Sequence, residues 1–195
     1  MTDASPAAAL AALREGNDRF AAGRAAHPRQ DPDRRAALRD GQRPFAAVLS
    51  CADSRVPPEL IFDQGLGDLF TVRVAGHVLG EDARASLHFA VHELRVPLVV
   101  VLGHERCGAV GLAVDALRDG GDASAPLVRD IAPAARACLH EEDPVEETVW
   151  AHVRATAGAL REDDAWAGRI AEGALAVHAA VYRLGAGRVE DAEAG

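Results

Sequence analysis

Hydrophobic and polar positions change their period several times along this chain, and each change predicts an element. In residues 6–22, PAAALAALREGNDRFAA, apolar side chains recur at Leu10, Leu13 and Phe20 behind a proline suited to a first helical turn, which predicts a helix. The stretch through Pro28, Pro32 and Pro44 reads as a surface crossing with one short helix at 34–38. PFAAVLSC at 44–51 is a short apolar run that stops at a cysteine and a polar turn, the pattern of a first core strand. PPELIF predicts a short helix, and after the Gly65 and Gly67 turn LFTVRVA at 69–75 is rich in β-formers and predicts a second strand.

Between 82 and 95, Ala83, Leu87, Ala90, Val91 and Leu94 fall on one helical face. LVVVLG at 98–103 is apolar at every position but its last, as a parallel strand buried on both faces requires, so a third strand should end at His104 before HERCGAVGLAVDAL restarts helical spacing. Residues 127–172 read as helices interrupted at Pro133 and Pro144, and ALAVHAAVYRL at 174–184 as a last strand. Strands alternating with helices predict one α/β domain over 1–195: a central, mostly parallel sheet of four to five strands flanked by helices, a helical arm over 1–40 and a flexible tail over 187–195.

Composition narrows the function. At 195 residues with 49% hydrophobic and only 4% aromatic residues, the chain suits one tightly packed α/β core. A net charge of −9 with pI near 5.3 repels phosphate backbones and anionic lipid, which argues against nucleic acid and membrane surfaces as partners. No stretch reaches the roughly 18 apolar residues of a membrane helix, and MTDASPAAALAALREGN lacks the basic start of a signal peptide, so a cytoplasmic location is expected. In a reducing compartment, three cysteines without disulfide spacing are metal ligands, nucleophiles or core residues.

Two of those cysteines stand where chemistry is expected. Cys51 and His104 fall at the C-terminal ends of apolar strands, where an open parallel sheet presents its ligand crevice, and Cys107 follows one helical turn later. Two thiolates and one imidazole leave a fourth tetrahedral position open on zinc, the pattern of a catalytic site. In CADSRVPP, Asp53 and Arg55 lie within reach of each other, and a guanidinium held on both prongs would keep Asp53 ionised and able to orient a water. The bland alternative has Asp53 capping the short helix and Arg55 in a surface ion pair. Cys138, alone in an alanine-rich stretch, reads as a packed thiol. His27, His77, His88, His92, His140, His152 and His178 lack metal-ligand partners at useful spacing.

CADSRVPPELIFDQGLGDLFTVRVAGH, followed by VVVLGHERCGAV, resembles the two signature segments of the β-class carbonic anhydrases, of the plant-like and actinobacterial-like type, in the family's order. Weaker similarity runs from EGNDRFAAG to RIAEGALAVHAAVYRLGAGRVE. The resemblance implies zinc on Cys51, His104 and Cys107, with Asp53 either as fourth ligand in a closed site or paired with Arg55 in an open one. It implies conversion of carbon dioxide to bicarbonate and a proton, and a homodimer or homotetramer. It also places Gln42 where the family carries a substrate-binding glutamine and Phe70 in an apolar wall, and makes Gly108, next to Cys107, the third substrate-side candidate. Phe89 stands where a tyrosine is frequent, and Val48 where bicarbonate-inhibited members carry tryptophan, which predicts that this regulation is absent. Two other readings remain: hydrolysis of carbonyl sulfide or carbon disulfide on the same zinc, and a non-catalytic zinc domain closed by Asp53.

Overall fold

The computed structural model describes residues 5–120 and 124–192. Helix α1 (Pro6–Ala21) starts where Ser5 Oγ accepts from the Ala8 amide, and α2 (Pro32–Ala37) where Asp31 does the same for Arg34. Strand β1 (Ala46–Ser50) leads through the CADSRVPP turn to α3 (Pro58–Ile61), then to β2 (Leu69–Arg73), a 3-10 turn (Ala75–His77) and α4 (Glu81–His92). Strand β3 (Leu98–His104) precedes α5 (Gly108–Arg118), and α6 (Pro126–Cys138), α7 (Pro144–Arg161) and α8 (Asp164–Ala171) lead to β4 (Ala176–Arg183) and β5 (Arg188–Asp191).

The sheet order is β2-β1-β3-β4-β5, parallel except for the last pair. Its central strands β1 and β3 are buried at every residue, so both pleat faces carry apolar side chains. Leu10 and Leu13 of α1 approach Val100 and Ala180 on one face. On the other, Val149 and Val153 of α7 close over Gly103, where a Cβ would stand 2.4 Å from Val153 Cγ2. Topology follows from the right-handed crossovers that parallel neighbours demand, and it brings the ends of β1 and β3 together.

Two expectations need correction. The tail expected from residue 187 instead forms β5, paired with β4 through Arg183↔Arg188 to Ala180↔Asp191; residues 193–195 lie outside the described residues. Arg188–Asp18 and Arg14–Asp191 ion pairs, and the Val189 amide donating to Asn17 Oδ1 at 2.9 Å, tie it to α1. Pro133 does not break α6, because it faces water, where the Arg129 carbonyl it deprives of a donor can be solvated. Pro144 does open a helix, α7, with Asp143 capping it.

One close approach fixes α1 against the end of α3. A Cβ on Gly16 would lie 1.8 Å from the Phe62 carbonyl oxygen, a backbone atom that cannot swing aside. Gly16→Ala should therefore lift α1 off α3 and destabilise the chain by about 3 kcal/mol, lowering the melting temperature by roughly 10 °C in a calorimetric scan.

Candidate metal centre

Parallel pairing of β1 with β3, with Ser50 opposite Leu102, delivers Cys51 and His104 side by side at the C-terminal edge of the sheet. The Glu105-Arg106 turn, with Arg106 at φ 52°, then brings Cys107 back as the residue preceding the first turn of α5. The three donor atoms all lie within 4.8 Å of one another, and the two sulfurs are 3.9 Å apart. All three side chains are buried.

Hydrogen bonding prepares each donor. His104 Nδ1 lies 2.9 Å from the Glu105 carbonyl oxygen. A carbonyl only accepts, so Nδ1 carries the proton and Nε2 keeps its lone pair. That Nε2 is buried and has no hydrogen-bond partner, an arrangement that costs free energy unless something electron-poor is held there. Cys51 Sγ accepts amide N–H groups from Asp53 at 3.4 Å and Gly76 at 3.3 Å. The neighbouring Cys107 thiol donates to Cys51 and, with those amides and against the opposing effect of burial, pulls its pKa well below the usual thiol range. Cys107 is pushed up, first by its bond to Cys51 and then by burial, although the first amides of α5 favour its thiolate. Without a cation the pair thus shares one proton; a cation between the sulfurs would favour losing both. Two soft thiolates and an imidazole with a free lone pair fit zinc, and leave room for a fourth donor.

Asp53 is paired with Arg55. Arg55 donates from Nε to Oδ1 at 2.9 Å and from a terminal nitrogen to Oδ2 at 2.7 Å, and its amide adds a third bond to Oδ1 at 2.9 Å. The Arg55 side-chain bond, then its amide and its charge, hold the Asp53 carboxyl far below the usual carboxylate range against the opposing effect of desolvation. Oδ2 stands 3.9 Å from His104 Nε2, so the carboxylate edges the space the three donors leave open. The capping alternative fails, since α3 is preceded by Pro57 and has no side-chain cap.

The substrate-side candidates separate. Gly108 adjoins Cys107, with open space where a Cβ would stand. Gln42 lies instead among Phe45, Pro97 and Ala174, at the start of the strands, and the intervening β1 spans about 16 Å. Phe70 pairs with Ala47, about 13 Å up-strand from Cys51, and packs on Phe89 with ring centroids 6.0 Å apart. Neither reaches the donors of its own chain.

Residue types and spacing did not announce Arg73, Gly76, His77 or His152. Arg73, opposite Ser50 at the end of β2, donates to the Cys51 carbonyl at 3.1 Å and the Asp53 carbonyl at 2.6 Å, fixing the turn that carries both. Its register beside Ser50 was the signal available. His77 and His152, read as ordinary histidines, are buried beside this turn.

The comparisons agree with this geometry. A family model described as carbonic anhydrase matches residues 46–189. "Carbonic anhydrase 2" of Mycobacterium tuberculosis is 46% identical over 96% of this chain and 93% of its own length. The carbonic anhydrase of Mycolicibacterium smegmatis is 44% identical over 97% and 95%. Among solved structures, the β-carbonic anhydrase CcaA superimposes with TM-score 0.72 at 28% identity, covering 92% of this chain and 86% of its own. A tetrameric β-carbonic anhydrase of Sordaria macrospora gives 0.72 at 25%, covering 91% and 93%.

Proposed function

This chain belongs to the β-class carbonic anhydrase family, and we propose on that premise that it interconverts carbon dioxide and bicarbonate with one zinc ion held by Cys51, His104 and Cys107. The observation that carries the reading is the buried, unpartnered Nε2 of His104, facing two sulfurs 3.9 Å apart. When bound, zinc supplies the Lewis acidity that brings water ionisation toward about pH 7, moderated here by two anionic ligands.

The chain's own groups do the rest. Asp53, kept ionised by Arg55, accepts a hydrogen bond from the attacking water and turns its lone pair toward the carbon. Arg55 restrains Asp53 from moving onto the metal, and donates at 3.3 Å to the Arg106 carbonyl, which ties the dyad to the β3–α5 turn. Arg73 pins the backbone at Cys51 and Asp53. Gly108 leaves space for a small neutral substrate beside Cys107. Gln42 and Phe70 can serve substrate only from a second copy of the chain, consistent with a homodimer or homotetramer. Among the described residues no helix is long and apolar enough to cross a membrane.

Stopped-flow carbon dioxide hydration from about pH 6.5 to 9, with zinc counted per chain, tests the reading. The expected result is zinc-dependent turnover that rises toward alkaline pH. Asp53 is ionised throughout that window, so the acid-side fall belongs to the ionisation of water. One zinc per chain with no turnover across the range would refute the activity.

A further inference from the structure

The Gly76 amide that reaches Cys51 is not held by its own turn alone. Gly76 sits at φ +64°, and a Cβ there would stand 2.8 Å from Ile131 Cδ1 and 3.2 Å from Ala109 Cβ, so α5 and α6 close on it from two sides. From a third side comes α7. His152, which is 6% exposed, places Nε2 3.1 Å from the Gly76 carbonyl oxygen. The carbonyl accepts, so Nε2–H donates. The His77 ring packs on His152 with centroids 4.6 Å apart, and both of its nitrogens are buried without partners, so it supports His152 by contact. One residue therefore links two bonds: His152 holds the carbonyl of Gly76, and the N–H of Gly76 points at Cys51 Sγ at 3.3 Å.

We propose that His152 is a positioning residue of the metal centre, fixing Gly76 so that its amide stays directed at Cys51 Sγ and draws charge from that sulfur. The effect passes through Gly76, and His152 touches neither metal nor substrate. A thiolate that accepts an N–H is less electron-rich toward a bound cation, and outer hydrogen bonds of this sort orient ligands and set affinity. Gly76 supplies one of two amides on Cys51; the other, Asp53 N–H, is fixed independently by Arg73 on the Asp53 carbonyl. His152 is thus the side chain whose removal frees one amide and spares the other.

This inference rests on the zinc reading, and cobalt(II) substitution tests the two separately. In the full-length protein, His152→Leu keeps the buried volume and deletes the donor, whereas His152→Gln puts an amide N–H at a similar reach. The thiolate-to-cobalt absorption should move to longer wavelength in His152→Leu as the sulfur becomes richer in electrons. Affinity measured by chelator competition should fall about tenfold, because the loss of Cys51 orientation outweighs the stronger donation of a richer sulfur. Both should return toward wild-type values in His152→Gln. An unshifted band in folded His152→Leu, or an equal shift in both variants, would overturn the proposal. Should the leucine variant not fold, the wild-type protein loaded with spin-active cadmium gives a direct reading, because the N–H···S bond transmits a scalar coupling between the metal and the Gly76 amide proton. A coupling present in the wild type and weakened in a cadmium-loaded His152→Asn variant, whose shorter amide falls short of the Gly76 carbonyl, supports the proposal; its absence in the wild type, or an unchanged coupling in that variant, defeats it. A chain that takes up neither cobalt nor cadmium defeats the metal reading, and this inference with it.

Discussion

His104→Ala should give a folded chain that retains almost no zinc and hydrates carbon dioxide no faster than buffer. The imidazole contributes the one neutral donor of the three, and its Nε2 is already desolvated and aimed at the sulfurs, so nothing nearby can replace it. With two thiolates left, the ion loses a coordinate bond and most of its hold. Water then returns from a pKa near 7 to about 15.7, which removes hydroxide from the site at any pH the protein survives. Metal analysis after dialysis, paired with stopped-flow rates and circular dichroism, checks it. A variant that keeps stoichiometric zinc, or keeps turnover, would remove His104 from the donor set.

Arg55→Ala should separate binding from chemistry. Zinc content is expected to stay at one per chain, since Arg55 touches no donor atom, while kcat falls on the order of a hundredfold. The guanidinium is the largest influence lowering the Asp53 pKa, so without it the carboxyl moves back toward the ordinary carboxylate range and is free to turn toward the metal. The sign of the pH effect follows. In the wild type the depressed pKa contributes stability that is fully present above the unfolded carboxylate pKa and is lost only as pH falls through the folded-state value. The variant should lack that margin at neutral pH and converge with the wild type in acid, as pH falls toward the folded-state value. A rate within twofold of wild type would take the Asp53–Arg55 pair out of the mechanism.

How much of this was readable beforehand depends on which atoms do the work. Strands β1 and β3 were legible because burial on both faces leaves no polar position in AAVLS except its last, and almost none in LVVVLGH. Strand β5, RVED, was not: it is held by main-chain bonds to β4 and by charged side chains reaching α1, so no apolar pattern marks it. Cys51, His104 and Cys107 were legible because few residue types bind zinc and two of these end strands. Arg73 and His152 were hidden because each acts on backbone oxygens, of Cys51, Asp53 and Gly76, and any sequence supplies those. Gln42 and Phe70 could be assigned a part by likeness, but one-dimensional spacing could not tell which copy's donors they would face.

The wide separation of Cys51 and Cys107 has a consequence for folding. The two are 56 positions apart, and β2, α4 and β3 lie between them. An ion gripping both ends closes that stretch into a ring, as a covalent cross-link would, and so strips loop entropy from the unfolded chain. For a loop of this length a rigid link is worth about 4 kcal/mol. The same atoms that set the chemistry would then act as a clasp on somewhat under a third of the polypeptide, so that metal supply governs how long the protein lasts as well as how fast it works.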